Sequence, residues 1–335
     1  MNSLSLGGLL RRPEAGAFLG LLAVLIFFTI FGGVTFLKPA GMSSWLNVAA
    51  SLGVIAIPVG LLMIAGELDI SVGAMVPFGA LTTAVISGHY GHPIWIGISA
   101  TLLFGMLVGL INGLMVVRTA VPSLIVTLGS LFAVQGIVLG MTVLITKSTS
   151  VAIKVTGTAK WLFGDFILGS QLQAMVAWWL VAVVIYVFFV HFSRYGNWIF
   201  AMGGDRTSAR NAGIPTSALT IVLFMLSSTS AAFVGMCQAI LYNSAQVSGG
   251  QSFIFNSIIS VVVGGVLLTG GFGSVIGIFF GTITFAIVNQ GIYYTDFDRN
   301  WSSLIIGVLL LAAVLMNNTF RNMALSSSVG KKKGS

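Results

Sequence analysis

Two carboxylates, Glu67 and Asp69, interrupt an apolar stretch and are the residues best suited to chemistry. Paired acids inside a membrane can carry protons or sodium ions. Residues two apart do not share a helical face, so at least one acid must lie off a helix or in a break. Gly66 and Gly73 give the flexibility for such a break, and Asp69 or Ser71 could cap the next helix. The pattern therefore predicts either an ion-carrying site or a capped, inward-facing turn that touches a neighbouring element.

Uncharged polar side chains within the apolar runs point to a different chemistry. Any single buried amide is expected to join helices. As a set, amides and hydroxyls would line a path for a neutral, hydroxyl-rich solute, whereas an ion path would show charge or converging carbonyls. The path candidates are Asn47, Asn112, Thr127, Gln135, Asn243, Gln246, Asn289 and Gln290, and Gln238 belongs to the same set of amides.

A polar run at residues 196–215 carries its own helix signals. Asp205 can accept hydrogen bonds from the free N–H groups of the following turn and so serve as N-cap. Gly213 suits the left-handed residue that ends a helix, and Pro215 prevents continuation. The run therefore predicts a helix of about two turns, which is too short to be stable alone in water.

One face of this short helix carries positive charge, and another carries small side chains. Arg206 and Arg210 are four residues apart and share a face, while Ala209 and Ala212 let another backbone approach. The helix is therefore expected to be held by a partner. The alternative is a solvated loop whose arginines only follow the excess of positive charge on cytoplasmic loops.

Catalytic and metal-binding patterns are missing from the sequence. His89 and His92 lie in one presumed external turn with no third ligand nearby, and His191 lies at the end of an apolar run, so we expect no metal site. The single cysteine, Cys237, excludes an internal disulfide and a cysteine metal site. No G-x-x-x-x-G-K-[ST] loop occurs, so ATP is not bound in that way. We expect no cofactor and no catalysis.

The composition places the chain in a membrane. Apolar residues make up 57% and charged residues 7% of the chain, whereas soluble domains carry roughly 25% charged residues. The chain is therefore predicted to be an all-α, polytopic membrane protein with about ten transmembrane helices of ~20 residues, forming a single permease domain over residues 1–335. The expected spans are 17–37, 46–65, 71–87, 94–117, 122–145, 174–192, 217–241, 253–269, 274–292 and 301–316.

The distribution of basic residues orients these spans. The first span is too long for a removable signal peptide and is expected to remain as a membrane helix. With both termini in the cytoplasm, ten basic residues lie inside and five outside, which agrees with the positive-inside rule. The inside set is Arg11, Arg12, Arg118, Arg194, Arg206, Arg210, Arg321 and Lys331–Lys333, and the outside set is Lys38, Lys147, Lys154, Lys160 and Arg299. The net charge of +8 therefore predicts orientation in lipid and no nucleic-acid partner.

Four motifs resemble signatures of the ribose/xylose/arabinose-type permeases, which are the membrane subunits of bacterial ABC importers for monosaccharides and autoinducer-2. The motifs are Gly66-Glu-Leu-Asp-Ile-Ser-Val-Gly73, Asn112-Gly113, Val121-Pro-Ser-Leu-Ile-Val-Thr-Leu-Gly129 and Ala201-Met-Gly-Gly-Asp-Arg-Thr-Ser-Ala-Arg-Asn-Ala-Gly-Ile214. The similarity extends over residues 17–317. Glu67 departs from it, because the family more often has a neutral residue before its Asp.

The resemblance implies a vitamin-B12-importer-like (type II) fold in the bacterial inner membrane. It also implies three partners: ABC ATPase subunits, a periplasmic sugar-binding protein, and a second permease subunit that is either an identical copy or a paralogue. The loop 196–215 would be the coupling element, with Gly203, Gly204, Asp205, Arg206, Ala209, Arg210 and Gly213 contacting the ATPase. Two alternatives are an ion-coupled carrier that uses Glu67 and Asp69, and an uncoupled channel.

Overall fold

The computed structural model of the chain describes residues 13–119, 121–167, 171–296, 298–301, 304–305, 307–308, 310–312 and 315. The long helices are α1 (Pro13–Phe31), α3 (Pro39–Ile64), α4 (Val72–Ala84), α5 (Ile94–Arg118), α6 (Ser123–Thr146), α8 (Ala174–Phe192), α11 (Thr216–Tyr242) and α13 (Val275–Gly291). The shorter helices are α2 (Gly33–Leu37), α7 (Thr158–Phe163), α9 (Arg194–Gly204), α10 (Arg206–Asn211) and α12 (Gln251–Val263).

Eight helices in this part of the chain are long and apolar enough to cross a membrane. A π-helical turn, Val85–His89, completes the α4 span, and a 3₁₀ turn, Ile292–Tyr294, completes the α13 span. Because helices satisfy their own backbone hydrogen bonds, they are the natural spanning elements in lipid. The predicted all-α, polytopic architecture is confirmed.

Several helix bounds differ from the expected spans. The first run is divided at Gly32 into α1 and α2, and the next helix begins at Pro39, where proline suits a first helical position. The expected span 253–269 is only the 13-residue helix α12, because the chain turns at Gly264 and at Gly265, whose φ is +90°. The predicted tenth span, 301–316, is described only in part, and Arg11, Arg12, Arg321 and the terminal lysines lie outside the described residues.

Helix α3 lies at the centre of the bundle and has 83% of its most apolar window buried, against 22–28% for α5, α6 and α8. Small residues allow close packing around it. Gly105, Gly109 and Gly113 repeat every four residues on α5, and a methyl group at Gly109 or Gly113 would lie 2.5–2.7 Å from the backbone of α11. This spacing lets two helix backbones meet directly, as is typical of membrane helices. We call this contact the glycine seam.

A small sheet joins two segments at one end of the bundle. Strand β1 (Ser150–Ala152) pairs antiparallel with β2 (Ser244–Gln246), with Val151 opposite Ala245. Helix α7 follows β1. The side chain of Lys160 on α7 donates to the last carbonyls of α11, those of Ile240 and Leu241, at 2.6 and 3.1 Å.

Candidate functional site

The two acids lie in a tight turn, residues 65–71, between α3 and α4, which we call the acidic turn. Gly66 has a φ of +85°, a conformation that glycine adopts without the steric cost of a side chain. The N–H of Glu67 donates to the carbonyl of Leu62, so that the end of α3 closes on itself. The acidic turn therefore corresponds to the break predicted from the glycines.

Hydroxyl groups from the start of α6 hold the backbone of the acidic turn. The N–H of Leu68 donates to Ser123 Oγ at 3.1 Å, and the N–H of Ile70 donates to Thr127 Oγ1 at 3.3 Å. Both hydroxyl-bearing residues are buried. Because a buried N–H group without a partner is costly, these contacts fix the turn against α6.

The carboxylate of Asp69 is buried within a small polar cluster. Its Oδ1 accepts from the N–H of Ser71 at 2.9 Å and from the Ser71 hydroxyl. The Ser71 hydroxyl in turn accepts from Asn112 Nδ2 on α5 at 3.1 Å, and Asn112 Oδ1 accepts from Ser130 on α6. The second carboxylate oxygen, Oδ2, has no hydrogen-bond partner among the described residues.

The carboxylate of Glu67 makes a different contact. Its Oε1 accepts from Nη1 of Arg206, the first residue of α10, and forms an ion pair with it. The other guanidinium nitrogen, Nη2, donates to Thr220 Oγ1 on α11 at 2.9 Å. The Glu67 side chain is 8% exposed and that of Arg206 is 42% exposed. The ion pair therefore connects the acidic turn to α10.

Helix α10 has the capping expected from the sequence. The carboxylate of Asp205 accepts from the N–H of Ser208, and this backbone hydrogen bond lowers the pKa of Asp205 from its usual value. Gly213 has a φ of +85° and ends the segment. Ala209 is buried, whereas Arg210 is exposed and has no side-chain partner in the described ranges. The two arginines therefore differ, with one bound internally and one free.

The helix that leads into α10 was not predicted. Residues 194–204 form α9, and Arg194 lies over the rings of Tyr195 and Trp198 at 5.4 and 5.3 Å from their centroids. Near its end, a methyl group at Gly203 would lie 1.7 Å from the carbonyl oxygen of Ile64. Only glycine fits there, so α9 packs directly on the end of α3. At Gly204 there is open space within 4 Å.

The path candidates separate into several groups. Asn112 and Thr127 bond to the acidic turn and its neighbours, and Asn47 joins α3 to the segment after α7 through Gln171 and Gln173, both at 2.9 Å. These three residues therefore have structural partners.

The other path candidates lie apart from the acidic turn. Asn289 and Gln290 bond to each other at 2.8 Å, and Gln135 is half-buried on α6. Asn243 ends α11 with a φ of +54° and accepts from Ile153 through its carbonyl.

Gly73 packs against Ile254 on α12, where a methyl group would meet the Ile254 side chain at 2.4 Å.

One cavity brings several polar side chains together. It holds about 210 Å³ between α4, the end of α11 and the segment that follows α11. The polar lining residues are Gln238, Tyr242, Ser244, Gln246 and Ser248. Of the predicted path residues, Gln246 is the one that lines this cavity, together with Gln238 from the same set of amides. Such a lining can exchange hydrogen bonds with a small neutral solute.

Sequence reasoning missed Ser123 and Ser130, and it assigned Thr127 to a solute path, whereas Ser123 and Thr127 hold the acidic turn. Ser123, Thr127 and Ser130 are spaced by four and three residues, and this spacing places them on one face of α6. That periodicity is a signal that could have identified them. Thr220 on α11 has no comparable pattern. No group of three or more His, Cys, Asp and Glu side chains suited to a metal ion is found in the described part of the chain.

Comparisons with known proteins give relatives over most of the chain. A family model described as the permease component of branched-chain amino acid transport systems matches residues 41–314. A fructose import permease of Rhizobium meliloti is 28% identical over 93% of this chain and 87% of its own length. The galactose/methyl galactoside import permease of Escherichia coli is 28% identical over 95% of this chain and 98% of its own.

A further relative is described by its transporter class. It is an inner membrane ABC transporter permease of Escherichia coli, which is 30% identical over 80% of each chain. No solved structure matches the chain. With spanning helices, a matching family model and relatives along most of its length, the chain belongs to this family of ABC transporter permeases and is a membrane transport subunit, not an enzyme.

Proposed function

We propose that this chain is the membrane-spanning subunit of an ATP-driven importer that carries a monosaccharide or a similar polyol. The observation that carries the proposal is helix α10, a short capped helix held against the acidic turn with Arg210 exposed. A six-residue helix has little stability of its own, so its order depends on what it contacts. This arrangement suits an element that receives force from a separate ATPase.

The solute class rests on the relatives. Import permeases for fructose, ribose and galactose are 27–28% identical to this chain, although the family model is described by branched-chain amino acids. An autoinducer-2 import permease of Klebsiella pneumoniae is similar at 27% identity. The uncharged lining of the cavity favours a neutral, hydroxyl-rich solute over an amino acid, which carries two charges.

The proposed orientation places the acidic turn and α10 on the cytoplasmic side of the inner membrane, with both termini inside. It is supported by the basic residues of the two termini, because the rest of the bundle carries equal numbers of basic residues at its two ends. Arg118, Arg194, Arg206 and Arg210 lie at the end with the acidic turn, and Lys38, Lys147, Lys154 and Lys160 lie at the other. The arginine-rich end is the cytoplasmic one by the positive-inside rule when the terminal basic residues are counted with it.

The proposed assembly contains a second permease subunit, two ATPase subunits and a periplasmic sugar-binding protein. ATP binding would move the ATPase surfaces that hold α10, and the permease would open in response. Separate ATPase subunits are required because ATP can shift the permease between two conformations only through contacts that differ between those conformations. Here ATP acts through the ATPase contact with α10.

The test is uptake into membrane vesicles that contain the complete transporter. Vesicles are loaded with ATP and given labelled ribose, fructose, galactose or leucine with the matching binding protein. We expect sugar uptake with the active ATPase and none with an ATPase whose phosphate-binding lysine is replaced. Uptake driven by a proton or sodium gradient without the ATPase would overturn the proposal in favour of an ion-coupled carrier, and leucine uptake would overturn the solute class.

The cavity supplies a test within the permease itself. Its volume is below the roughly 300 Å³ at which sites for drug-sized ligands begin, which suits a small solute. We expect Gln246→Ala to lower sugar uptake by about threefold to tenfold, the value of one neutral hydrogen bond. Gln251→Ala is the matched control, because Gln251 is exposed and outside the cavity lining. Equal uptake by both variants would remove the cavity from the proposed path.

The ion-coupled alternative retains one specific observation. Glu67 is already paired with Arg206, but Asp69 is buried and one of its oxygens has no hydrogen-bond partner among the described residues. If Asp69 carried the coupling proton, Asp69→Asn would abolish accumulation while leaving the folded protein intact. We expect instead that Asp69→Asn retains ATP-dependent uptake, because asparagine Oδ1 can still accept from Ser71.

A further inference from the structure

Glu67 is the residue through which the acidic turn contacts the loop of α9 and α10. Its partner, Arg206, is 139 residues away in the chain. The Glu67 side chain is almost enclosed, and the Arg206 side chain is partly exposed. Charge-assisted hydrogen bonds of this kind are stronger and more directional than neutral ones. The pair is therefore a specific connection and differs from an ordinary exposed ion pair.

Arg206 also contacts a third element. Its backbone belongs to α10, its Nη1 binds Glu67 in the acidic turn, and its Nη2 binds Thr220 on α11. The planar, forked guanidinium holds two acceptors in fixed directions, which a lysine ammonium cannot do. A displacement of α10 therefore acts on the acidic turn and on α11 through one side chain.

The acidic turn passes this connection on to two more helices. Backbone N–H groups of Leu68 and Ile70 bond to α6, and the Ser71 hydroxyl bonds to Asn112 on α5. Each of these contacts is buried or partly buried. The hydrogen bonds thus form a continuous series from α10 through Glu67 to α5 and α6.

We propose that the Glu67–Arg206 ion pair is a mechanical joint that positions the acidic turn in response to movement of α10. This proposal rests on the proposed function and assigns different tasks to the two arginines of α10. Arg206 is bonded to Glu67 and Thr220 and transmits the movement, while Arg210 has no side-chain partner in the described ranges and is free to contact the ATPase. Glu67 and Arg206 are positioning residues, since neither is assigned a contact with the solute or with ATP.

The experiment is a double-mutant cycle on the assembled transporter in nanodiscs. Glu67→Gln, Arg206→Gln and the double variant are compared for ATPase activity stimulated by the sugar-loaded binding protein. We expect each single variant to lose stimulation by about tenfold, within the range of measured coupling between sites. The double variant is expected to lose no more than about tenfold, because residues that act through one contact are not additive.

Arg210 provides the matched control, because it is the other arginine of the same short helix. Combining Glu67→Gln with Arg210→Gln should multiply the two losses, as independent sites do. The amount of ATPase that copurifies with each variant separates loss of assembly from loss of stimulation. A normal copurified amount with a lost response is the expected result for Glu67→Gln.

The outcomes separate this proposal from the function on which it rests. Multiplicative losses for Glu67 and Arg206, or full stimulation in Glu67→Gln, would overturn the joint even if wild-type sugar uptake is ATP-dependent. Absence of ATP-dependent uptake by the wild-type transporter would overturn the proposed function. A double-mutant cycle of melting temperatures, measured on the permease alone, gives an independent check. If the two substitutions are non-additive in melting temperature but additive in ATPase stimulation, the contact exists without transmitting movement. That result would also overturn the joint.

Discussion

At the end of the bundle that carries the acidic turn, polar side chains bond to one another in the interior. At the opposite end, those of Gln246 and its neighbours border a cavity, and the side chain of Lys160 holds the end of α11. The first arrangement resists displacement of its members, because Ser71, Asn112 and Arg206 each bond to two partners. The second leaves hydrogen-bonding capacity for a solute. This difference agrees with the proposed roles of the two ends, in which one transmits movement and the other bonds to the solute.

The largest expected effect tests the close packing at the first end. Gly203→Val would place side-chain atoms against the carbonyl of Ile64 and force α9 away from α3. We expect a loss of about 3 kcal/mol or more in stability, at the upper end for single substitutions. Melting curves of the protein in detergent measure this loss of stability. Gly204→Ala is the control, because the added methyl group meets nothing within 4 Å, and an equal loss there would contradict the assigned contact.

The buried polar cluster should show the next largest effect. Asn112→Leu removes the donor to Ser71 and the acceptor for Ser130 while keeping a similar volume. Because hydroxyls are left unpaired in the interior, we expect a loss of about 1–3 kcal/mol in stability. Gln135→Leu on the neighbouring helix should change stability by about 0.5 kcal/mol or less. Similar melting temperatures for the two variants would show that the cluster adds nothing.

The opposite end should be less sensitive. Lys160→Met removes a cation from the last carbonyls of α11, where burial lowers the pKa of the lysine. A cation at a partly exposed helix end contributes about 0.3–1 kcal/mol, so the loss in stability should stay below that of Asn112→Leu. The same melting experiment compares them. A larger loss for Lys160→Met would reverse the proposed difference between the ends.

The smallest effect concerns the cap of α10. The pKa of Asp205 is lowered in the folded protein, so its contribution to stability is present above the unfolded value of 3.8 and is lost as the pH falls through the folded pKa. Asp205→Asn keeps a capping side chain but cannot titrate. The melting temperature of the wild type should therefore decline relative to that of Asp205→Asn on acidification below that value. If the difference in melting temperature between the two proteins does not depend on pH, the charge of Asp205 does not stabilise the helix.

The sequence predicted the helical architecture because apolar length is a local property. The span Ala174–Phe192 has the bounds expected from its composition, and the cap at Asp205 follows from neighbouring residues. The eighth span failed because apolar composition continues after Val263 while two glycines turn the backbone. Helix α9 was missed because its polar, aromatic and glycine residues were interpreted as part of a loop.

The site was harder to predict, because its contacts join distant parts of the chain. Glu67 and Arg206 were both identified as notable, yet nothing local indicates that they meet. Asn112 was assigned to a path by its residue type, whereas its partners are Ser71 and Ser130. An amide has the same chemistry in a pore and in a structural cluster, so only its surroundings decide its role.

The glycine seam also limits how the bundle can deform. At Gly109 and Gly113 no side chain separates the backbones of α5 and α11, so we expect the two helices to tilt together. Thr220 on α11 binds Arg206, and Asn112 on α5 binds Ser71 of the acidic turn, so joint movement of the two helices would keep these two contacts at a constant separation. In the proposed mechanism, a displacement of α10 is then accommodated by α3, α4 and α6, and the packing of these three helices limits how far the solute path opens.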